Sequence, residues 1–369
     1  MKKLLLCLLF SGIVFCCDAQ TYINPGVDTS GKDVQNALKF YNKYLGSFNS
    51  KDLPDFSKFW SADELVLRTI PDQQIYAIND NTLYSQGYKA TILYIKPMSG
   101  HVHLKTQFSA INDAVGNIMT LAVTNHYVDV NGKDGPKFIN PFTRNLVAWR
   151  NKKVRNVTFF YQPQHKFNAR KADSLIRQVV KLEGEWNLKP INIRYYFAKT
   201  SDELQILKGF DFALPMGNRD KPSGISDDTD NQVFCAGLGE NYFHEVAHVY
   251  LNRLYPKSPL KEGLAAFYGG SMGHSVKWHL KRVDAYLKEH PEADLNNIED
   301  FWYPDSHTNP GSAIRGLVCQ VIYEKDGIQG LRRLMSYTSL KEIFRDELKV
   351  ENGSLNSYLR RLIKKYSQF

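Results

Sequence analysis

The stretch that most restricts this chain runs from His244 to Gly270, "HEVAHVYLNRLYPKSPLKEGLAAFYGG". Its apolar spacing and its prolines dictate a helix, a break and a second helix. The residue before a proline resists helical geometry, so Pro256 predicts that the first helix ends at Tyr255. Ser258 and Pro259 read as the cap and first position of the second helix, which stops at Gly269 and Gly270. Residues four apart on a helix share a face. His244 and His248 therefore aim two imidazoles at one point, Glu245 flanks that point, and Glu262 enters near the start of the next helix. Ala265 and Ala266 are small enough to let the two helices approach, and a Leu or Phe at 266 is expected to push the Glu262 carboxylate away. A lone Glu on a buried face is costly without a partner, and a cation supplies one.

A zinc ion that does chemistry takes three protein ligands and leaves a fourth position for water. The pattern His-Glu-x-x-His supplies two ligands and a base, and Glu262 is the nearest candidate for the third. The expectation is one Zn2+ per chain on His244, His248 and Glu262, with Glu245 as general base. The competing account is an ordinary core helix whose histidines bond to backbone carbonyls.

On these residues, HEVAH followed by EGLAAFYGG, the chain resembles the gluzincin zinc peptidases, in particular the peptidase MA-like group. The similarity continues more weakly through "NPGSAIRGLVCQVIYEKDGIQGLRRLM", similar to a later helix of that group that ends in a Tyr-x-x-x-Gly corner. It covers roughly residues 168 to 366. A metzincin is excluded, because Leu251 and Leu254 stand where a Gly and a third His belong. The resemblance implies zinc-dependent hydrolysis of a peptide bond, with a peptide or protein as substrate. It also implies an oxyanion donor just before the later helix. His307 is the first choice there and Tyr303 the second, while a surface loop histidine remains an equal account of His307. Tyr323 reads as structural. A different class of function is a zinc-containing protein, catalytically retired, that binds a peptide or cell-wall fragment; an intact Glu245 argues against it.

Residues 1–19, "MKKLLLCLLFSGIVFCCDA", carry two lysines, an apolar run and a short polar exit ending at Ala19, the order of a cleaved export signal. Export to a periplasm or the exterior follows, with a lipoprotein at Cys16 or Cys17 as the minor alternative, since Phe15 is bulky where a small residue is needed. No later run is long and apolar enough to span a bilayer. Cys235 and Cys319 remain after cleavage, as one disulfide or two buried thiols, the latter slightly favoured. The formal net charge is +9, and loss of two lysines and one aspartate with the leader brings it to +8. The cations are scattered, with no basic block or aromatic platform, so nucleic-acid binding is excluded.

The fold class expected is α+β. Residues 20–164 read as a helix, "KDVQNALKFYNKYLGSF", followed by antiparallel strands, a pattern similar to an NTF2-like cone. Asn131-Gly132 and Arg150–Lys153 are the expected reversals. Residues 165–369 read as a mostly helical, zincin-like catalytic domain with a small sheet. There Thr200 and Glu203 form a capping box, and "QVFCAG" is a short strand that could pair with an extended substrate. Asp227, Asp228 and Asp230 read as turn chemistry, lacking the Gly and distal Glu of a calcium loop. His101 and His103 share one strand face.

Overall fold

Long alternation of apolar and polar residues dominates the first part of the chain, and helical periodicity the second. The computed structural model describes residues 21–49, 54–72, 88–112, 116–214, 216–217, 221–350 and 354–368. The expected leader, with Cys16 and Cys17, lies outside them. The chain is α+β, with sheet concentrated in its N-terminal half and helix in its C-terminal half. It divides into two compact units: Met1–Thr143 with Gly209–Leu214, and Arg144–Lys208 with Pro215–Phe369.

In the first unit, helix α1 (Lys32–Gly46) buries Val34, Ala37, Leu38, Tyr41, Tyr44 and Leu45, one stripe at helical spacing. Strands β1 (Tyr22–Ile23), β2 (Lys89–Met98), β3 (His101–Asn112), β4 (Asn117–Asp129) and β5 (Lys137–Ile139) form a sheet in that order, and β9 (Phe210–Ala213) also pairs with β4. The long β2-β3-β4 ladder is antiparallel and shifts register after Ile92 and after Phe108. Such bulges bend a sheet and increase its twist. His103 stacks on Tyr127 with ring centroids 4.6 Å apart, and His101 meets the same ring edge-on. A polar knot sits in the apolar interior. The Tyr44 hydroxyl and His126 Nε2 both donate to Asp72 Oδ2, at 2.7 and 2.8 Å, and all three residues are fully buried.

The second unit begins earlier than residue 165, which corrects the expected boundary. After the short helix α2 (Pro141–Leu146), strands β6 (Arg150–Val154) and β7 (Val157–Tyr161) form a hairpin. Its turn is at Arg155, with φ 55°, so Arg150–Lys153 is strand rather than reversal. β7 pairs in parallel with β8 (Ile193–Ala198), and β8 with β11 (Gln232–Ala236). Hydrogen bonding thus binds the hairpin to the second unit. The sheet order is β10-β11-β8-β7-β6, with β10 (Ser223–Asp227) antiparallel at one edge. β11 is interior and buried at every residue, so the edge expected of it belongs to β10.

Helix α3 (Ala169–Trp186) packs Ala172, Leu175, Val179 and Leu182 into this unit's core; the Asn168 side chain caps it. Helix α4 (Ser201–Leu207) carries the expected Thr200–Glu203 capping box. Helices α5 (Phe243–Leu251), α6 (Lys261–Gly269), α7 (Val276–Glu289), α8 (Pro310–Met335), α9 (Leu340–Asp346) and α10 (Leu355–Gln368) complete it. α8 kinks at Gly327, with φ 58° and ψ −147°, where the Tyr-x-x-x-Gly corner is expected. Cys235 and Cys319 are both free and buried, and burial pushes the Cys235 thiol up to about 12.

Candidate metal centre

Every residue of α5 is buried, as expected for a helix that is apolar on most of its circumference. His244, Glu245 and His248 are the exceptions in chemistry, at 5, 6 and 4% exposure. The helix ends earlier than Tyr255. Beyond Asn252 the chain tightens to three-residue hydrogen bonds, Leu254 N to Leu251 O and Tyr255 N to Asn252 O. The second helix starts later than Pro259. Ser258 Oγ accepts from Leu260 N ahead of α6, whose first turn contains Glu262.

Gly269 permits a close approach of α5 and α6. A Cβ on Gly269 would lie 2.3 Å from the His244 backbone nitrogen. Ala266 instead faces α8, 3.4 Å from where a Cβ on Gly316 would be, and Gly263 faces the Arg315 backbone. A large residue at 266 would therefore press α6 from the α8 side.

The three expected ligands meet. His244 Nε2 and His248 Nε2 are 3.1 Å apart, and Glu262 oxygens lie 3.5 Å from the first and 3.3 Å from the second. This is the only group of three or more metal-ligating side chains among the described residues. Glu262 remains half exposed and opens the cluster to solvent.

The outer nitrogens decide what the inner ones can be. The Gly270 carbonyl can only accept, so His244 Nδ1, 2.6 Å away, carries a proton. Asn252 Oδ1 faces His248 Nδ1 at 3.0 Å in the same role. Two neutral imidazoles so held present bare Nε2 lone pairs to one another and to a carboxylate. Three acceptors in contact require added protons or a cation. The protonated alternative leaves its trace. Burial opposes charge on His248, yet hydrogen bonding to Glu262 and the charges of Glu262 and Glu245 outweigh it and raise its pKa. Hydrogen bonds from His244 and His248 hold Glu262 well below the usual carboxylate range.

The donor set fits zinc. Zinc–ligand bonds of about 2.0–2.1 Å in tetrahedral geometry separate donor atoms by about 3.3–3.4 Å, and the three distances here bracket that value. Two imidazoles and one carboxylate suit zinc better than magnesium or calcium, which prefer all-oxygen shells.

Glu245 lies beside the cluster. Burial pushes its carboxyl up, opposed by His244, His248 and a hydrogen bond from Ser226. The neighbouring Tyr242 ring stacks on His244 with centroids 5.6 Å apart and planes 11° apart. Its hydroxyl accepts the Met272 N–H. His307 is half-buried, with Nδ1 against Ser306 Oγ and its ring edge-on to His274 and Trp278. None of these contacts ties it to His244, His248 or Glu262. Tyr303 is buried flat against Tyr286, with centroids 3.9 Å apart. The Tyr323 hydroxyl donates to Glu185, as a structural residue does.

Asn252, the Gly270 carbonyl, Tyr242 and Ser226 are the residues that sequence reasoning missed. Asn252 alone had a signal, since it follows His248 by one helical turn on the same face. No protein-family model, curated protein or solved structure matches this chain.

Proposed function

We propose that this chain is an exported zinc-dependent metallopeptidase of gluzincin type, with His244, His248 and Glu262 as ligands and Glu245 as general base. The observation that carries the reading is the convergence of three acceptor atoms, both imidazoles oriented from behind, with an unligated carboxylate alongside. When bound, zinc supplies a Lewis acid and brings the pKa of a water toward neutrality. Glu245 takes a proton from a water at the cluster and returns it to the leaving amine nitrogen. Its buried setting favours that exchange, because a raised carboxyl pKa makes a better base near neutral pH. Tyr242, stacked on His244, helps exclude solvent from the apolar side of the cluster. β10, a sheet edge touching α5, offers backbone groups to an extended peptide.

No helix among the described residues is long and apolar enough to cross a membrane. The export reading rests on the leader sequence alone. The test uses the chain from residue 20 with and without Glu245→Gln, incubated with casein and a peptide library beside metal analysis. Expected are one zinc per chain in both proteins and cleavage by the wild type only, reduced by about 10²-fold or more in the variant. Stoichiometric zinc without Glu245-dependent cleavage would replace this reading with a retired, peptide- or cell-wall-binding protein.

A further inference from the structure

The loop that follows α6 carries the carbonyl behind His244, and it is tied down at several points. Gly270 takes the left-handed region, φ 69°, where a Cβ would lie 2.1 Å from the His274 carbonyl oxygen. Ser271 N donates to His274 O at 2.8 Å and His274 N to Ser271 O at 2.9 Å, closing a bridge across the loop. Met272 N donates to the Tyr242 hydroxyl. A further tie comes from α7. His279, at 2% exposure, places Nε2 2.9 Å from the Ser271 carbonyl oxygen and Nδ1 3.1 Å from Thr308 Oγ1. A carbonyl only accepts, so Nε2 carries the ring proton. Burial holds the His279 pKa below its usual value, which keeps the ring neutral and leaves Nδ1 to accept from the Thr308 hydroxyl. Thr308 is itself held. Its N–H and that of His307 donate to Asp305 Oδ1, and Arg282 of α7 grips Asp305 Oδ2. With both nitrogens engaged, the imidazole is fixed in rotation.

We propose that His279 is a positioning residue for the candidate metal centre: it fixes the Ser271 carbonyl, and thereby the adjacent Gly270 carbonyl that orients His244. This inference rests on the zinc reading above. The two carbonyls flank one Cα, so a peptide held at Ser271 limits how far the peptide at Gly270 can rotate. The Gly270 oxygen then stays 2.6 Å from His244 Nδ1, which keeps that proton outward and the Nε2 lone pair toward His248 and Glu262. Such outer partners fix a ligand's tautomer and direction, and removing them weakens metal binding. Without the His279 donor, the loop keeps its own bridge but can shift as a unit, carrying the Gly270 oxygen off the imidazole.

The test uses the chain from residue 20 and three substitutions that divide the two bonds of the ring. In His279→Gln the amide nitrogen reaches the place of Nε2 and can still donate to Ser271. In His279→Asn the amide reaches only the place of Nδ1, toward Thr308, and His279→Leu keeps neither. Zinc affinity by chelator competition should fall about tenfold in His279→Asn and His279→Leu. His279→Gln should stay close to wild type. The second readout is hydrogen exchange of the His244 Nδ1–H, followed by NMR on metal-free protein with isotope-labelled histidine. Exchange should be faster in the Asn and Leu variants than in wild type and His279→Gln. A merely structural histidine would instead lower the denaturant midpoint of all three variants without separating Gln from Asn. Equal exchange in His279→Gln and His279→Asn overturns the proposal, as does equal zinc affinity where wild type binds zinc. That comparison stands even if His279→Leu does not fold. If wild type binds no zinc, the metal reading fails on its own, while the exchange rates still decide whether His279 holds His244.

Discussion

Each unit of this protein sets buried histidine against a carboxylate, and the two arrangements have opposite chemical balance. In the first unit, Asp72 Oδ2 accepts from the Tyr44 hydroxyl and from His126 Nε2, while Thr124 Oγ1 approaches His126 Nδ1 at 3.4 Å. Each contact pairs a donor with an acceptor, and aromatic rings of Tyr41, Trp60 and Phe138 close around the histidine. Donors and acceptors are matched in those contacts, while the other carboxylate oxygen, Asp72 Oδ1, is buried without a partner. In the second unit, the Nδ1 protons of His244 and His248 are committed to Gly270 and Asn252, so what converges with Glu262 is acceptors only. Histidine set against carboxylate is thus common to both groups, and the direction in which the imidazole protons are used is what separates the candidate metal site from the other.

Three experiments act on this contrast. The largest effect is expected in the first unit. Asp72→Ala removes one partner of a buried pair and strands the Tyr44 hydroxyl and His126, which costs about 3–5 kcal/mol. Denaturant unfolding of this variant should show that loss equally with and without zinc. Zinc-dependent recovery would mean the first unit also depends on a cation.

Next comes the second unit. Zinc at a hundredfold excess over its Kd should stabilise the wild type by about 2.7 kcal/mol. The same addition should do nothing measurable to Glu262→Ala or His248→Ala. A zinc-induced rise in melting temperature that survives Glu262→Ala would remove residue 262 from the ligand set.

The smallest effect concerns orientation. Asn252→Ala should weaken zinc binding about 10- to 100-fold, or about 1.4–2.7 kcal/mol, with little change in the stability of the metal-free chain. Asn252→Asp, which keeps an acceptor at the same place, should restore it. Equal zinc affinity in all three proteins would show that His248 needs no orienting group.

Much of the candidate site was legible because it is local. Helical periodicity puts His244 and His248 one turn apart, and two prolines force the chain to turn back with Glu262 in the next first turn. The Thr200 capping box is equally local and stands where residue type places it, and the chain bends at Gly327, where the family resemblance puts a corner. What failed was non-local. The hairpin of β6 and β7 reads as a continuation of the preceding strands, yet it pairs with β8, more than thirty residues on. β11 reads as a free edge until β10 is found hydrogen-bonded outside it. A tight contact between α5 and α6 lies at Gly269, where both helix ends meet, while Ala266 faces α8.

The amino-acid sequence by itself determined the shared face of His244 and His248, the candidate ligands, since spacing along a helix is set by backbone geometry that no neighbour alters. Only the tertiary structure decided what stands behind the His244 ring: the Gly270 carbonyl, brought in from the far end of the next helix. The reason is physical. A side chain's direction follows from its own few residues, whereas its hydrogen-bond partner follows from how whole helices and strands pack.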